Sequence, residues 1–212
     1  MTQPAAWPHL FHEGAAGTPI LLLLHGTGGT EHDLLPLVER IAPGAGYLAP
    51  RGPVQENGMN RWFRRFGEGV FDVDDVARRA GELAEFIQHS HHTYGLADRP
   101  LIAVGLSNGA NIALAAALLQ PTTVPAVVAF SGMYPLEGRT VDADLQGSSV
   151  ALFNGRQDPL APFESVTRLH SVLQSRGAEV TLTAREGGHG IHPTDVTGAA
   201  AWITSTTRKE QP

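Results

Sequence analysis

The 212-residue sequence predicts an α/β fold in which a mostly parallel sheet carries helices on both faces. Segments typical of strands and of helices alternate along nearly the whole chain, which is the order of strand–helix–strand units. Several strand segments, such as Ile20–Leu24, are continuously apolar, as strands buried on both faces of a sheet are. No internal repeat and no linker-like composition divides the chain. We therefore expect a single domain over residues 1–212.

The first half of the chain is expected to contain three strands, two helices and one long loop. Apolar residues at helical spacing predict a helix between Thr30 as its cap and Pro43 as its stop. A second helix is predicted between the cap Asp72 and the terminator Gly95. Residues 51–71 have no clean period, so we expect a long surface loop that covers a binding site. The alternative is that Trp62, Phe63 and Phe66 only pin this loop to the body of the protein while its arginines are solvated. The predicted strands are residues 9–12, 20–24 and 47–49.

The second half continues the alternation of strands and helices. An apolar strand at residues 100–104 leads through a tight turn into a helix-like run at residues 110–118. The later elements are shorter but are bounded by turn residues. The remaining predicted strands are residues 126–130, 150–153 and 180–183, and the remaining predicted helices are residues 163–173 and 194–206.

The turn in the middle of the chain reads Gly105-Leu106-Ser107-Asn108-Gly109. A nucleophilic serine must project from a strained backbone, so only small residues fit two positions to either side of it. The N–H groups and the positive dipole end of the following helix would face the oxygen beside Ser107. The pattern predicts a nucleophile and, through Asn108, half of an oxyanion hole. The alternative is a glycine-rich turn with an incidental serine.

Two residues on later loops are the candidate partners of Ser107. Asp158 and His189 each follow a predicted strand, and the carboxyl ends of parallel strands meet at one edge of a sheet. The chain order Ser, Asp, His is that of the α/β-hydrolase elbow. The histidine would move the serine proton while the aspartate fixes its tautomer. Taken singly, Asp158 could be an ordinary turn or cap residue and His189 an ordinary loop histidine, whereas His192 is expected to begin the last helix.

The loop after the first buried strand is the expected source of the second oxyanion donor. Glycines in His25-Gly26-Thr27-Gly28-Gly29 allow close approach of a substrate, and Thr27 would present its N–H. A nucleotide-phosphate loop is the rival interpretation, but neither Gly-Lys-Ser/Thr nor a full Gly-x-Gly-x-x-Gly is present. We expect His25, Gly26, Trp62 and Phe63 to contribute to the substrate pocket. We expect no metal site, because the histidines lack a carboxylate partner at ligand spacing.

Composition excludes several classes of function. The sequence contains no cysteine, which rules out disulfides, thiolate metal sites and a cysteine nucleophile. Its only lysine is Lys209, near the C-terminus, so a phosphate-loop lysine is not expected. A net charge of −6 argues against a nucleic-acid partner. No long apolar segment follows a basic N-terminus. We therefore expect a cytoplasmic protein that does not insert into a membrane.

Seven segments of the chain together resemble a known family. They are Leu24-His25-Gly26-Thr27-Gly28-Gly29, Pro50-Arg51-Gly52-Pro53, Glu56-Asn57-Gly58-Met59, Arg61-Trp62-Phe63-Arg64-Arg65, Gly69-Val70-Phe71-Asp72, Gly105-Leu106-Ser107-Asn108-Gly109-Ala110-Asn111 and Gly155-Arg156-Gln157-Asp158-Pro159. The family they resemble is the phospholipase/carboxylesterase family of small serine hydrolases, which includes the acyl-protein thioesterases, and the resemblance runs through nearly the whole chain. The Arg51-Gly52 and Glu56-Asn57-Gly58-Met59 segments look most similar to bacterial carboxylesterases associated with quinone or hydroquinone stress. One departure is Asn108, where acyl-protein thioesterases usually carry glutamine.

The resemblance implies an α/β-hydrolase fold without a large cap domain, and no cofactor. It implies Ser107, Asp158 and His189 as a triad, with Thr27 and Asn108 as oxyanion donors. The expected activity is hydrolysis of small carboxylic esters through an acyl-serine intermediate. A thioesterase or lactonase would use the same residues, and a binding protein that has lost the chemistry is the alternative of a different class. The expected partner is a small-molecule ester, and a homodimer is left open.

Overall fold

A computed structural model of the chain describes residues 7–96 and 99–209, apart from the side chain of Lys209. Its helices are α1 (Leu35–Ile41), α2 (Val73–Tyr94), α3 (Asn108–Leu119), α4 (Phe163–Ser175) and α5 (Pro193–Lys209). Its strands are β1 (His9–His12), β2 (Ile20–Leu24), β3 (Gly46–Pro50), β4 (Val54–Glu56), β5 (Met59–Arg61), β6 (Arg65–Gly67), β7 (Val70–Phe71), β8 (Leu101–Leu106), β9 (Ala126–Phe130), β10 (Ser149–Gly155) and β11 (Glu179–Arg185).

Seven strands form the central sheet in the order β1-β3-β2-β8-β9-β10-β11. All neighbouring pairs in it are parallel except β1 with β3. Alternate side chains of β2 enter two different cores: Ile20, Leu22 and Leu24 pack with α2, α3 and α4, whereas Leu21 and Leu23 pack with α1 and α5. Both faces of the sheet are therefore covered by helices, which confirms the predicted architecture.

The prediction of one long loop over residues 51–71 is wrong. The segment contains two short antiparallel hairpins, β4–β5 and β6–β7. The first turns at Asn57 and Gly58, whose φ angles are 52° and 78°, the positive values that a two-residue hairpin turn requires. Its strands have only three residues each, which is too short for an alternating apolar pattern to stand out in the sequence.

The predicted start of the first helix is also wrong. The helix α1 begins at Leu35, and the residue before it, Leu34, makes no side-chain capping bond. Instead of capping the helix, Thr30 donates both its N–H and its hydroxyl to the Asp33 carboxylate. This local bonding stabilises a turn that competes with a helical start. The predicted ends of α2 are confirmed: the Asp72 side chain accepts from the Asp75 N–H, and Gly95 adopts φ 67°.

Within the described residues, no helix is both long enough and apolar enough to cross a membrane.

Candidate active site

Ser107 occupies a strained turn between β8 and α3. Its φ and ψ angles are 54° and −115°, a region that a residue with a side chain rarely adopts. A Cβ added to Gly109 would lie 1.9 Å from the Leu24 carbonyl oxygen, and one added to Gly105 would lie 2.5 Å from the Gly109 carbonyl oxygen. The two glycines are therefore needed because backbone segments approach closely there. The strain projects the serine from the carboxyl edge of the sheet.

Asp158 and His189 are brought together by the loops after β10 and β11. The His189 Nδ1 atom lies 2.8 Å from Asp158 Oδ2. The other carboxylate oxygen accepts from the backbone N–H groups of Leu160 and Ala161 at 2.9 and 3.2 Å. Because an ionised carboxylate only accepts, Nδ1 of His189 carries the hydrogen and Nε2 of the neutral ring keeps its lone pair. Asp158 therefore fixes the tautomer of His189.

The structure places Ser107 on the same sheet edge, but no hydrogen bond among the described residues joins its hydroxyl to His189. Such contacts are often long before a substrate binds. The three residues thus stand where the sequence predicts them, with one of the two expected contacts formed. Their catalytic role remains a prediction at this point.

Two further residues, Ser131 and Arg185, hold the loop that carries His189. The Gly190 N–H donates to Ser131 Oγ at 3.0 Å, and Arg185 Nη2 donates to the Gly190 carbonyl at 2.9 Å. Arg185 is itself held through Nε by the fully buried carboxylate of Asp195, at 2.9 Å. Sequence reasoning missed this support because Ser131 and Gly190 are 59 residues apart and belong to no local motif.

Two backbone N–H groups beside Ser107 have no hydrogen-bond acceptor in the described part of the chain, those of Thr27 and Asn108. The Asn108 N–H is one of the unpaired donors of the first turn of α3. The Thr27 loop is held by Asn60, whose carbonyl accepts from the Gly28 N–H at 2.8 Å and whose Nδ2 donates to the Gly29 carbonyl at 2.7 Å. An oxyanion hole needs two unpaired N–H donors on backbone that other hydrogen bonds keep in place.

The expectation that Trp62 and Phe63 line the substrate pocket does not fit their positions. Both side chains are fully buried in the core beneath the site. Trp62 donates its backbone N–H to Asn108 Oδ1 and its indole N–H to the His25 carbonyl, both at 2.8 Å. Trp62 can be buried because each of its N–H groups has an acceptor there. They support the site from below.

His25 and Gly26 also lie outside the lining of the cavity at Ser107. His25 is buried, and its Nε2 accepts from the Gly52 N–H at 2.9 Å while Nδ1 lies 2.7 Å from the Gly26 carbonyl. Burial lowers the pKa of His25 because the charged form would be desolvated. His25 is therefore a neutral residue that ties the Thr27 loop to residue 52.

A polar cleft that is open to solvent lies beside Ser107. The buried guanidinium of Arg61 lies in its wall, and burial together with the nearby Arg65 cation lowers the pKa of Arg61 below its ordinary value. No group of three or more His, Asp or Glu side chains suited to a metal ion occurs among the described residues. The cleft is lined by Thr27, Arg61, Arg65, Glu68, Gly69, Phe71, Ser107, Asn108, Asn111 and Leu160.

A family model, a relative and two solved structures that are similar to this chain are all described as hydrolases or carboxylesterases. The model of the phospholipase/carboxylesterase family matches residues 9–207. A putative hydrolase of Bacillus subtilis (strain 168), MhqD, is 38% identical over 194 residues, which cover 92% of this chain and 96% of that protein. The crystal structure of the Bacillus cereus carboxylesterase has a TM-score of 0.91 and 37% identity, covering 95% of each chain. The carboxylesterase from Mesorhizobium loti has a TM-score of 0.87 and 29% identity, covering 94% of this chain and 95% of that one.

Proposed function

The chain belongs to the phospholipase/carboxylesterase family, has the α/β-hydrolase fold and is a carboxylic ester hydrolase; from this premise we propose that it hydrolyses small carboxylic esters with Ser107, His189 and Asp158 as its catalytic triad. The observation that carries the proposal is the 2.8 Å contact between His189 Nδ1 and the buried Asp158 carboxylate, which leaves Nε2 free as a base. The strained turn at Ser107 and the polar cleft beside it also support the proposal.

In the acylation step, His189 Nε2 takes the proton of the Ser107 hydroxyl while Oγ forms a bond to the ester carbonyl carbon. The carbonyl oxygen becomes negative and accepts from the N–H groups of Thr27 and Asn108. These donors are worth most at this moment, because they are already oriented when the charge develops. The intermediate then collapses: the bond to the alcohol oxygen breaks, and His189 returns its proton to the alcohol.

In the deacylation step, water takes the place of the alcohol. His189 Nε2 removes a proton from the water, and the hydroxide oxygen bonds to the acyl carbon. The bond between the acyl carbon and Ser107 Oγ then breaks, and the serine recovers its proton from His189. Asp158 stays ionised throughout and stabilises the imidazolium that forms in each step. Thioesters and lactones would follow the same route, with a thiol or an internal alcohol as the leaving group.

The test compares the wild-type protein with Ser107→Ala in 4-nitrophenyl acetate hydrolysis and in labelling by a fluorophosphonate. We expect one label per wild-type chain, none on the variant, and a loss of kcat of about 10⁴- to 10⁶-fold. Ser205→Ala is the matched control, because Ser205 is an exposed serine of α5 and should lose neither property. Full activity of Ser107→Ala would refute the triad. A wild-type protein that binds esters but does not turn them over would favour the non-catalytic alternative.

A further inference from the structure

Three buried side chains of the cleft beside Ser107 each keep a hydrogen-bond donor that no described residue accepts from. These are Asn108, Asn111 and Arg61, which are 3%, 5% and 3% exposed. All three line the same cleft as Ser107. The Asn108 Nδ2 atom is buried without an acceptor, which costs free energy, and two more free donors in the same cleft indicate a site for a ligand that supplies acceptors.

The orientation of the two asparagine amides is fixed by their neighbours. Asn108 Oδ1 accepts from the Trp62 N–H at 2.8 Å, and Asn111 Oδ1 accepts from the Met133 N–H at 2.8 Å. Because a backbone N–H can only donate, the oxygen of each amide must be the atom that faces it. The Nδ2 atoms are therefore the free ends. That of Asn108 is buried without a partner, and no hydrogen bond between described residues uses that of Asn111.

Arg61 adds a buried positive charge to these amides. Its Nη1 donates to Thr27 Oγ1 at 3.0 Å, and its Nε lies 3.4 Å from the Phe63 carbonyl and 3.3 Å from Glu56 Oε2. Its third nitrogen, Nη2, has no partner within the described ranges. The guanidinium thus uses one side to hold the Thr27 loop and keeps donors on the other.

The remaining charges of the cleft lie nearer to solvent. Arg65 pairs with both Glu56 and Glu68, whose side chains are 29% and 62% exposed. Water screens the charges of these two glutamates, whereas the charge of Arg61 acts in a poorly solvated wall. The lining itself contains two arginines and one glutamate, so a negative group that enters the cleft meets more positive than negative charge, although the nearby Glu56 brings the sum of the four charges to zero.

We infer that this cleft binds a carboxylate carried by the substrate, so that the preferred substrates are half-esters of short dicarboxylic acids. The inference rests on the proposed function. The cleft is lined mainly by polar groups, which suit a charged group better than a long acyl chain. A carboxylate has enough lone pairs to accept from Arg61 and from both amides, and hydrogen bonds between charged partners are the strong ones. Because Asn108 directly follows Ser107, the carboxylate must lie a few bonds from the ester carbonyl.

The experiment measures kcat/KM by ethanol release for three ethyl esters of similar length: monoethyl succinate, ethyl levulinate and ethyl pentanoate. Their distal groups are a carboxylate, a methyl ketone and an ethyl group. We expect the succinate ester to exceed the pentanoate ester by about 10-fold or more, with the levulinate ester between them. Equal values for the three esters, or a preference for pentanoate, would overturn the inference.

Two variants test whether Asn111 and Arg61 cause the preference for the succinate ester. Asn111→Asp keeps the oxygen that accepts from Met133 but replaces the free donor by an acceptor of negative charge, so it should reverse the preference. Arg61→Met keeps the stem but removes the charge, and should abolish the preference. Asn57→Asp is the matched control, because it adds the same charge at an exposed turn outside the cleft. A preference unchanged in both cleft variants would overturn the inference. A uniform loss for all esters in Arg61→Met would show that Arg61 only holds the Thr27 loop.

A binding measurement separates this inference from the proposed function. Succinate should raise the Tm of the wild-type protein more than chloride does at the same ionic strength, and should not do so in Arg61→Met. This shift is independent of turnover. Failure of all ester hydrolysis together with a succinate shift would refute the proposed function alone. Ester hydrolysis without the shift or the substrate preference would refute the carboxylate site alone.

Discussion

The two hairpins between β3 and α2 are neighbours in sequence but are held in different ways. The β4–β5 hairpin leads directly into Trp62, and its end is tied to the loops of Thr27 and Ser107 by buried hydrogen bonds. The β6–β7 hairpin carries exposed apolar side chains, with Phe66 and Val70 exposed by 78% and 57%. Ion pairs of Arg65 are its main polar contacts.

The difference suggests two roles: the first hairpin positions the groups that take part in the reaction, and the second contributes to recognition of the substrate. Apart from Arg61, which also lines the cleft, the first hairpin fixes the backbone that carries both proposed oxyanion donors, so a change there should affect every ester alike. The second hairpin supplies Arg65, Glu68, Gly69 and Phe71 to the outer wall of the cleft, so a change there should affect some esters more than others. Stability should follow the same division, because buried contacts contribute more than exposed ones.

The largest effect should come from Trp62→Ala. The change leaves a cavity in the core and removes the donor to the His25 carbonyl, so we expect a loss of about 3 to 5 kcal/mol in the free energy of unfolding. Phe66→Ala is the control, with an expected change within about 0.5 kcal/mol. Urea unfolding gives both values. Similar losses in the two variants would remove the distinction between the hairpins, as would a Trp62→Ala protein that hydrolyses only some esters more slowly.

Trp62 also shows where prediction from sequence stops. The sheet, its helices and the shared edge of Ser107, Asp158 and His189 were predictable, because apolar runs, breakers and the rule of carboxyl ends are local signals. The hairpins were not, although Asn57-Gly58 is a strong turn signal, because the strands beside it are short and polar. Nothing local tells whether Trp62 faces a pocket or the core. Its acceptors, at Asn108 and His25, are 46 and 37 residues away.

Two turn glycines, one in each hairpin, test the same difference in stability with a smaller expected effect. Gly58 and Gly69 have φ angles of 78° and 70°, and nothing lies within 4 Å of a Cβ added to either. Alanine at each position thus adds the same backbone strain, about 1 to 2 kcal/mol. We expect Gly58→Ala to lower the free energy of global unfolding by this amount. Gly69→Ala should lower it by less, because the second hairpin can open while the rest stays folded.

Urea unfolding combined with amide hydrogen exchange distinguishes the two cases. Faster exchange confined to residues 65–71 in Gly69→Ala would support local opening of the second hairpin. Equal global losses in the two variants would mean that both hairpins unfold together with the core.

A pH dependence tests how the His25 imidazole holds Gly52, just before the first hairpin. Burial lowers the pKa of His25 below its ordinary value of 6.5, so the unfolded chain binds a proton at higher pH than the folded chain does. The stabilisation by neutral His25 is therefore complete above 6.5 and is lost as the pH falls towards the lowered pKa. We expect urea unfolding at about pH 5 to show lower stability than at about pH 7, and His25→Gln to reduce this difference.

Two other titratable side chains, His91 and Glu31, also contribute to the pH dependence of stability and must be separated from His25. Burial also lowers the pKa of His91, so His91→Gln should remove a separate part of the difference. The hydrogen bond from Arg51 lowers the pKa of Glu31 from 4.5 to about 2, so its contribution is lost only at more acidic pH. An unchanged pH dependence in His25→Gln would show that the Gly52 contact does not depend on a neutral imidazole.

The smallest effect should come from Glu68→Gln in the second hairpin. Glu68 is 62% exposed and pairs with Arg65 at the mouth of the cleft, so removing its charge should change the free energy of unfolding by less than about 1 kcal/mol. The same change removes a negative charge from the path of a substrate carboxylate. We expect kcat/KM for monoethyl succinate to rise by up to about 5-fold at low salt, and kcat/KM for ethyl pentanoate to stay constant. Because an exposed charge is screened, the gain should shrink as the salt concentration rises. A gain shared by both esters would place Glu68 with the residues that support the reaction itself, and the second hairpin would then differ from the first only in stability.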